Sequence, residues 1–294
     1  MILLNKEGNY EIVVSNNCNL RCKHCGMSDN SKEKINYDLL KRTLINESHK
    51  NPIKEIYLWG GEPLLGDLDK ILDIMDTFQK TKFKITTNLC YKLTDKRKEI
   101  LKRCNLVSTS FDPKIRFQNI KELSLWYHNC KEILKYNKVL CICTLSTYTT
   151  SIEPKRLVKL FNEIGFTQYI FSPMILSGSL DRNKDLIPSY DEYNNFMMKV
   201  AKISDKRNKS ILIYKIHRLL GCISKYNRVI TNKGEIINCH IKNDCEIIDS
   251  DCYLCDNFKI CGGKAPCIKE CLFSKNVYDE AIRSYKNAYN ETTL

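Results

Sequence analysis

The 294-residue sequence lacks any run of the roughly 20 consecutive apolar residues that a membrane-spanning helix requires. The amino terminus also lacks the apolar core of a secretory signal peptide, because Asn5, Lys6 and Glu7 interrupt the opening hydrophobic residues. There is no low-complexity segment, and the only internal regularity is an alternation of short and long apolar patterns. We therefore expect a cytoplasmic globular protein that has no membrane partner.

Cysteine, in contrast, is abundant, with 16 residues in the chain. In a reducing cytosol such a number predicts metal or redox chemistry rather than disulfides. Three cysteines lie near the amino terminus, five are scattered between Cys90 and Cys143, and eight fall between Cys222 and Cys271. Because Cys141 lies with Cys143 in an apolar run, we expect the scattered five to be buried thiols and the two outer groups to bind metal.

The net charge of +13 at neutral pH is of the kind that attracts acidic partners such as nucleic acid. Lysine and arginine are nevertheless dispersed along the chain rather than clustered, which favours an ordinary solvated surface. Clusters bound to thiolates would further reduce the positive charge. Nucleic acid is therefore not the expected partner, and RNA modification stays open only as an alternative that the charge suggests.

Between residues 10 and 173, short β-branched or apolar runs alternate with longer amphipathic runs, which predicts repeated βα units around a parallel sheet. The predicted strands are 10–15, 54–59, 82–88, 106–112, 139–146 and 168–172. The predicted helices are 37–49, 67–79, 95–104, 117–136, and 153–164 with Gly165 at its end. Six such units form an α/β fold, a partial (βα)6 barrel of the TIM type, whose functional groups lie at the carboxyl ends of the strands.

The predicted domains follow the change in composition along the chain. We assign residues 1–185 to the barrel and 186–220 to a connecting helix and strand. Residues 221–275 are rich in cysteine, glycine and asparagine, which predicts a small domain organised by metal rather than by a large apolar core. Residues 276–294 are expected to form a C-terminal helix.

Cys18, Cys22 and Cys25 follow the first predicted strand with C-x3-C-x2-C spacing. Three thiolates on a four-iron cube leave one iron without a protein ligand, and an open coordination position is typical of a catalytic metal centre. The alternative is a zinc site with His24 as the fourth ligand. That arrangement is strained, because His24 directly precedes Cys25 and would have to turn back onto the same ion.

This motif after the first strand of a βα barrel resembles the radical S-adenosylmethionine (SAM) superfamily, in which the residue before the third cysteine is usually aromatic. His24 is an acceptable variant at that position. Gly60, Gly61, Glu62 and Pro63 follow the second strand and match the GGEP motif of the family, whose backbone and carboxylate hold the methionine ammonium of SAM. The resemblance covers residues 11–172. It implies a [4Fe-4S] cluster that reductively cleaves SAM to methionine and a 5′-deoxyadenosyl radical, which abstracts hydrogen from an unactivated carbon.

The resemblance also implies cofactor contacts at the next two strands. Asn88 ends the third strand, where the family places residues that contact the ribose. Ser108, Ser110 and Asp112 share one face of the fourth strand, and the resemblance implies that Ser110 or Asp112 contacts the cofactor. The alternative is ordinary polar filling of the barrel mouth. The general base is unknown, with Asp112, Glu153, Asp181, Asp185 and several tyrosines as candidates.

The C-terminal cysteines resemble the SPASM extension of the superfamily, which holds up to two auxiliary [4Fe-4S] clusters. The sequence departs from the family spacing after Cys261. The family has its next cysteine after three intervening residues, whereas this chain has Ala265 at that position. By analogy, we expect one auxiliary cluster on Cys222, Cys239, Cys245 and Cys267, and a second on Cys252, Cys255, Cys261 and Cys271. Whether Cys245 is a ligand stays open, as do a single cluster of the twitch type and structural zinc.

Relatives with this extension largely modify peptides and proteins, so the resemblance implies a ribosomal peptide maturase or protein-modifying enzyme that forms crosslinks, thioethers, epimers or oxidised residues. Only 17 residues precede Cys18, so we expect a separate leader-binding protein or the barrel itself to capture any leader. A reductant such as flavodoxin or ferredoxin is a further expected partner. The alternatives are a radical SAM dehydrogenase or modifying enzyme of a small molecule and, more remotely, a zinc-binding nucleic-acid module.

Overall fold

The computed structural model describes residues 8–25, 34–174, 183–203, 205, 207–208, 228–230 and 236–237. Within these residues, eight strands form one sheet: β1 Asn9–Ser15, β2 Glu55–Gly60, β3 Lys82–Thr86, β4 Leu106–Ser110, β5 Val139–Leu145, β6 Gln168–Pro173, β7 Arg228–Ile230 and β8 Ile236–Ile237. The strand order across the sheet is β6-β5-β4-β3-β2-β1-β7-β8. Strands β1 to β6 are all parallel, β7 runs parallel to β1, and β8 is antiparallel to β7.

The helices alternate with the first six strands, as expected of βα units. They are α1 Tyr37–Lys50, α2 Leu68–Thr77, α3 Asp95–Arg103, α4 Ile120–Ile133, α5 Thr147–Thr150, α6 Pro154–Ile164 and α7 Tyr190–Ala201. None of the helices in the described part of the chain is long and apolar enough to cross a bilayer. The prediction of an α/β fold built from six parallel βα units is therefore confirmed.

Two strands end earlier than predicted, and after the third strand a side chain takes the place of a ladder partner. The third strand was expected to reach Asn88, but β3 ends at Thr86 and the Asn88 N–H turns to the carboxylate of Glu62. The fourth was expected to reach Asp112, but β4 ends at Ser110. These early ends leave room for polar turns at the carboxyl edge of the sheet.

Helix ends follow the local signals in the sequence more closely. Helix α4 begins only at Ile120, because the Asn119 side chain accepts the Glu122 N–H and caps the helix there. Helix α6 ends at Gly165, which has a φ of 96° in the left-handed region. The predicted C-cap at Gly165 is thus confirmed.

The apolar core lies between the sheet and the helices. Phe111, Trp126, Phe161 and Phe166 are buried there, and the Phe111 and Trp126 ring centroids are 5.2 Å apart. The five scattered cysteines belong to the same core, and all are free and buried, as predicted: Cys90, Cys104, Cys130, Cys141 and Cys143. The apolar core therefore covers the helix-facing side of the sheet, and polar residues lie at the carboxyl edge of the sheet.

The strands β7 and β8 fall within the residues predicted as the iron–sulfur domain, and they extend the barrel sheet beside β1. Most of that predicted domain, 221–275, and the whole predicted C-terminal helix, 276–294, lie outside the described residues. Residues 209–220, at the end of the segment predicted as a connecting helix and strand, lie outside them as well. The domain boundaries beyond the barrel therefore stay predictions.

Candidate functional site

Residues 16–25, here called the cysteine loop, follow β1 and carry three half-buried cysteines that form no disulfide: Cys18, Cys22 and Cys25. The loop folds on itself, since the Arg21 guanidinium donates to the Cys18 carbonyl at 2.7 Å and the Cys25 N–H donates to the Cys22 carbonyl at 3.2 Å. Leu20 is buried and anchors the loop to the core. The three thiols are thus held together at the carboxyl end of the first strand.

The electrostatics of the cysteine loop disfavour thiolates without a metal. Burial raises the pKa of Cys22 to about 11, with the neighbouring charges of Asp112, Cys25 and Cys18 adding to the increase. Burial also raises the pKa of Cys18. A coordinated metal deprotonates such thiols, because the positive charge of the metal compensates for their burial.

The donor set of the cysteine loop is compatible with an iron–sulfur cluster. Within the described part of the chain, no three His, Cys, Asp or Glu side chains converge on the position of one ion. His24, the fourth ligand of the zinc alternative, directs its Nε2 to within 3.6 Å of Asp112 Oδ2. The cysteines of an iron–sulfur cube bind separate irons, and the three thiols of the loop are donors of the kind that such a group takes.

The GGEP segment lies directly against the start of the cysteine loop. The Gly61 N–H donates to the Ser15 carbonyl at 2.8 Å, and the Glu62 N–H donates to the Asn17 carbonyl at 2.6 Å. Gly60 has a φ of 135°, and a Cβ there would lie 2.2 Å from the Ser15 oxygen. A Cβ at Gly61 would lie 2.6 Å from the Asn17 oxygen. Two glycines are therefore required for this close approach of backbones.

Glu62 links the ends of β2 and β3 from a fully buried position. Its carboxylate accepts the Thr87 hydroxyl at 2.7 Å, the Asn88 N–H at 2.6 Å and the Leu64 N–H at 3.2 Å. Pro63 begins the short 3-10 helix that Glu62 caps. Burial raises the pKa of Glu62 to about 7, although the donors lower it. The contact of this carboxylate with the SAM ammonium stays a prediction.

Asn88 is buried at the same edge, and its amide contacts the cysteine loop. The Nδ2 group donates to Asn19 Oδ1 at 2.8 Å and to Cys18 Sγ at 3.6 Å, while Oδ1 accepts the Cys90 N–H at 2.8 Å. Asn19 in turn donates to the Cys90 carbonyl at 2.7 Å. The amide of Asn88 therefore joins the third strand to the first cysteine.

Asp112 is fully buried after β4, and both its carboxylate oxygens have partners within the chain. Oδ2 lies 2.7 Å from Arg116 Nε, and Oδ1 accepts the Thr144 N–H at 2.7 Å. Burial alone would raise the pKa of Asp112, but Arg116 and His24 hold it below the usual value. The predicted contact of Asp112 with the cofactor stays a prediction.

The alternation along β4 agrees with the predicted faces. Thr109 accepts the Trp126 indole N–H at 3.0 Å on the helix-facing side. Ser108 and Ser110 flank it in the strand and point to the opposite, barrel-facing side. Ser110 is half-buried at the end of the strand, and its predicted contact with the cofactor stays a prediction.

The structure thus brings the cysteine loop, the GGEP segment, Asn88 and Asp112 to one edge of the sheet. The eight predicted auxiliary ligands lie outside the described residues: Cys222, Cys239, Cys245, Cys252, Cys255, Cys261, Cys267 and Cys271. Sequence reasoning missed Arg116 and Asn19. The i, i+4 spacing of Asp112 and Arg116 was the only signal for the first, and nothing local marks the second.

Comparisons with known proteins agree with this arrangement. The family model of the Radical SAM superfamily matches residues 12–177. The solved structure of native anSMEcpe with bound AdoMet and Cp18Cys peptide is similar with a TM-score of 0.71 and 15% identity, covering 96% of this chain and 97% of that chain. Streptococcus suis SuiB bound to precursor peptide SuiA is similar with a TM-score of 0.54 and 16% identity, covering 79% and 60%. No curated protein sequence matches the chain. The structural similarities describe the fold, and the family match spans more than half of the sequence.

Proposed function

Because this chain belongs to the radical SAM superfamily, we propose that Cys18, Cys22 and Cys25 bind a [4Fe-4S] cluster whose open iron binds S-adenosylmethionine. The observation that carries the proposal is the cysteine loop itself. Its three thiols lie after β1, and the GGEP backbone is hydrogen bonded to Ser15 and Asn17, at the start of the same loop, through the Gly61 N–H and the Glu62 N–H. A cofactor bound to the cluster therefore lies next to residues 60–63.

When bound, the cluster supplies the electron that cleaves the sulfonium bond of SAM and so yields a radical able to abstract hydrogen. The residues of the chain position the reactants. We assign binding of the methionine part of SAM to Gly60, Gly61, Glu62 and Pro63, and a contact at the barrel mouth to Ser110. Asp112, whose carboxylate also contacts Arg116 and His24, is the alternative residue for that contact with the cofactor.

We propose a peptide or protein as the substrate. The support is the shared fold with anSMEcpe, whose structure contains a bound peptide, and with SuiB, whose structure contains precursor peptide SuiA. A crosslink, thioether, epimer or oxidised residue is the expected class of product. A separate leader-binding protein and a reductant of the flavodoxin or ferredoxin class complete the proposal. Modification of a small molecule is the second candidate for the same cofactor chemistry.

The eight C-terminal cysteines belong to the proposal as ligands of two auxiliary [4Fe-4S] clusters. Eight thiols equal two complete sets of four, which is the only support within the chain itself. On this proposal, the reconstituted protein contains about 12 iron atoms per chain, against about 8 for a single auxiliary cluster. Structural zinc would replace the additional iron.

The test is anaerobic reconstitution followed by incubation with dithionite, SAM and candidate peptides. The candidates are peptides encoded by short cysteine-rich reading frames beside the gene. The proposal expects 5′-deoxyadenosine together with a mass change in one peptide, and transfer of deuterium from that peptide into 5′-deoxyadenosine. Production of 5′-deoxyadenosine without modification of any such peptide would favour a small-molecule substrate. No cleavage of SAM by an iron-loaded protein would contradict the function.

A further inference from the structure

We propose that Asn88 raises the reduction potential of the cysteine-loop cluster by donating an N–H···S hydrogen bond to Cys18, an inference that rests on the proposed cluster. Asn88 Nδ2 lies 3.6 Å from Cys18 Sγ. The Leu20 N–H donates to the same sulfur at 3.4 Å. Cys18 is therefore the cysteine whose sulfur receives one backbone donor and one side-chain donor, and only the second can be removed by substitution.

The orientation of the Asn88 amide is fixed by its other partners. Its Oδ1 accepts the Cys90 N–H, so Nδ2 must point the other way, toward Asn19 and Cys18. Rotating the amide by half a turn would bring Oδ1 against the oxygen of Asn19 and would leave the Cys90 N–H facing an NH2 group. The backbone of Asn88 is fixed too, through its N–H to Glu62. The donor is thus preorganised against the sulfur.

The turn that contains Asn88 has a backbone conformation that its next residue, Leu89, disfavours. Leu89 is fully buried with a φ of 55°, in the left-handed region that leucine rarely adopts. Asn129 of α4 stabilises the turn, because its side-chain amide donates to the Leu89 carbonyl at 2.8 Å and to the Tyr91 carbonyl at 2.7 Å. Such conformations persist where the surrounding structure holds them, and they are common at functional sites.

Hydrogen bonds to the sulfur ligands of a cluster stabilise its reduced, more negative state and raise its potential. This role differs from a contact with the ribose of SAM. Both N–H groups of the Asn88 side chain have partners within the chain, namely Asn19 Oδ1 and Cys18 Sγ. A sulfur donor changes the cluster in the absence of SAM, whereas a ribose contact acts only when SAM is bound. The two roles therefore predict different results for one variant.

The test is a redox titration followed by electron paramagnetic resonance. The titration uses the full chain without SAM. The signal of the cysteine-loop cluster is identified in a separate sample as the signal that changes when SAM is added. We expect Asn88→Leu to shift the midpoint to more negative potential, lowering the ratio of reduced to oxidised cluster about fivefold at a fixed potential. Asn88→Ser is the second variant, since its hydroxyl oxygen can still accept the Cys90 N–H while the amide donor is lost. Equal iron content in all variants establishes that the cluster is intact.

Asn137→Leu is the matched control, because Asn137 precedes β5 at the opposite edge of the sheet, where its amide donates to the Leu101 carbonyl at 2.6 Å and to the Cys104 carbonyl at 2.7 Å. We expect its midpoint to equal that of the unaltered protein. An unchanged midpoint in Asn88→Leu and Asn88→Ser, with weaker SAM binding, would overturn the inference in favour of a ribose contact. An equal shift in Asn137→Leu would also overturn it. If the unaltered protein forms no reducible cluster, the proposed function itself fails.

Discussion

Glu62 accepts the backbone N–H of Asn88 at 2.6 Å, so the carboxyl ends of two neighbouring parallel strands are joined by one buried carboxylate. The same carboxylate accepts the Thr87 hydroxyl. All three residues lie beside the cysteine loop, to which Glu62 donates through its own N–H. Glu62 is therefore a structural link within the site as well as a candidate cofactor ligand.

Replacing Glu62 with Gln should destabilise the protein. Glutamine has an NH2 group in place of one carboxylate oxygen. That NH2 group would face the N–H or hydroxyl groups that now donate to Glu62, so a buried donor would be left without an acceptor. We expect a loss of about 1–3 kcal/mol in the free energy of unfolding, measured by urea denaturation. Lys159→Gln, an exposed change on α6, serves as the control and should change that free energy by less than about 0.5 kcal/mol.

Glu62 should also contribute to the pH dependence of stability. Burial raises the pKa of Glu62 from an ordinary 4.5 to about 7 in the folded protein. Between these two pKa values the folded state binds one more proton at Glu62 than the unfolded state does. The stabilisation that results is complete below the pKa of Glu62 in the unfolded chain, and it is lost as the pH rises through about 7. We expect the free energy of unfolding to fall more steeply between pH 4.5 and 7 in the unaltered protein than in Glu62→Gln. Parallel slopes would show that Glu62 is ionised throughout.

Replacing Asp112 with Asn should be among the most destabilising changes at the site. It leaves the guanidinium of Arg116 buried without its carboxylate, which costs about 3–5 kcal/mol. The double variant Asp112→Asn with Arg116→Met removes both charges, so we expect it to lose less stability than Asp112→Asn alone. Because the pKa of Asp112 is lowered, the stabilisation is present above 3.8 and is lost as the pH falls through the folded value. A double variant less stable than the single one would contradict this account.

Gly60 and Gly165 offer a matched pair of substitutions by alanine. Both glycines have positive φ, at 135° and 96°, so each change carries a conformational penalty of about 1–2 kcal/mol. Only at Gly60 does the new Cβ meet backbone, 2.2 Å from the Ser15 oxygen, whereas at Gly165 the nearest atom is 3.9 Å away. We expect Gly60→Ala to cost at least about 2 kcal/mol more in urea denaturation and to lower iron retention. Equal losses would show that the close approach is not required.

The sequence was sufficient for the main features of the fold and for the location of the site. The alternation of apolar runs predicts β1 to β6, since each strand has its own local pattern, and Gly165 marks the end of α6. Likewise, the cysteine spacing and the GGEP segment locate the carboxyl ends of β1 and β2. These are properties of short stretches of chain.

Features that depend on contacts between distant residues could not be predicted in this way. Strand β7 pairs with β1 across more than 200 residues, and its three residues have no distinctive pattern. The end of β3 was predicted too late in the chain, because the carboxylate of Glu62 accepts the Asn88 N–H only in the folded chain. For the same reason nothing local predicts that Asn88 contacts Cys18, which lies 70 positions earlier in the chain.

The central claim is that the cysteine loop binds a four-iron cluster with three cysteines. The most direct measurement is the iron content of the anaerobically reconstituted chain before and after replacing Cys18, Cys22 and Cys25 together with Ala, with Cys104→Ala as the buried-thiol control. We predict that the triple variant loses about four iron atoms per chain and all SAM cleavage, while the control loses neither. The same iron content in the triple variant and the unaltered protein would contradict the account.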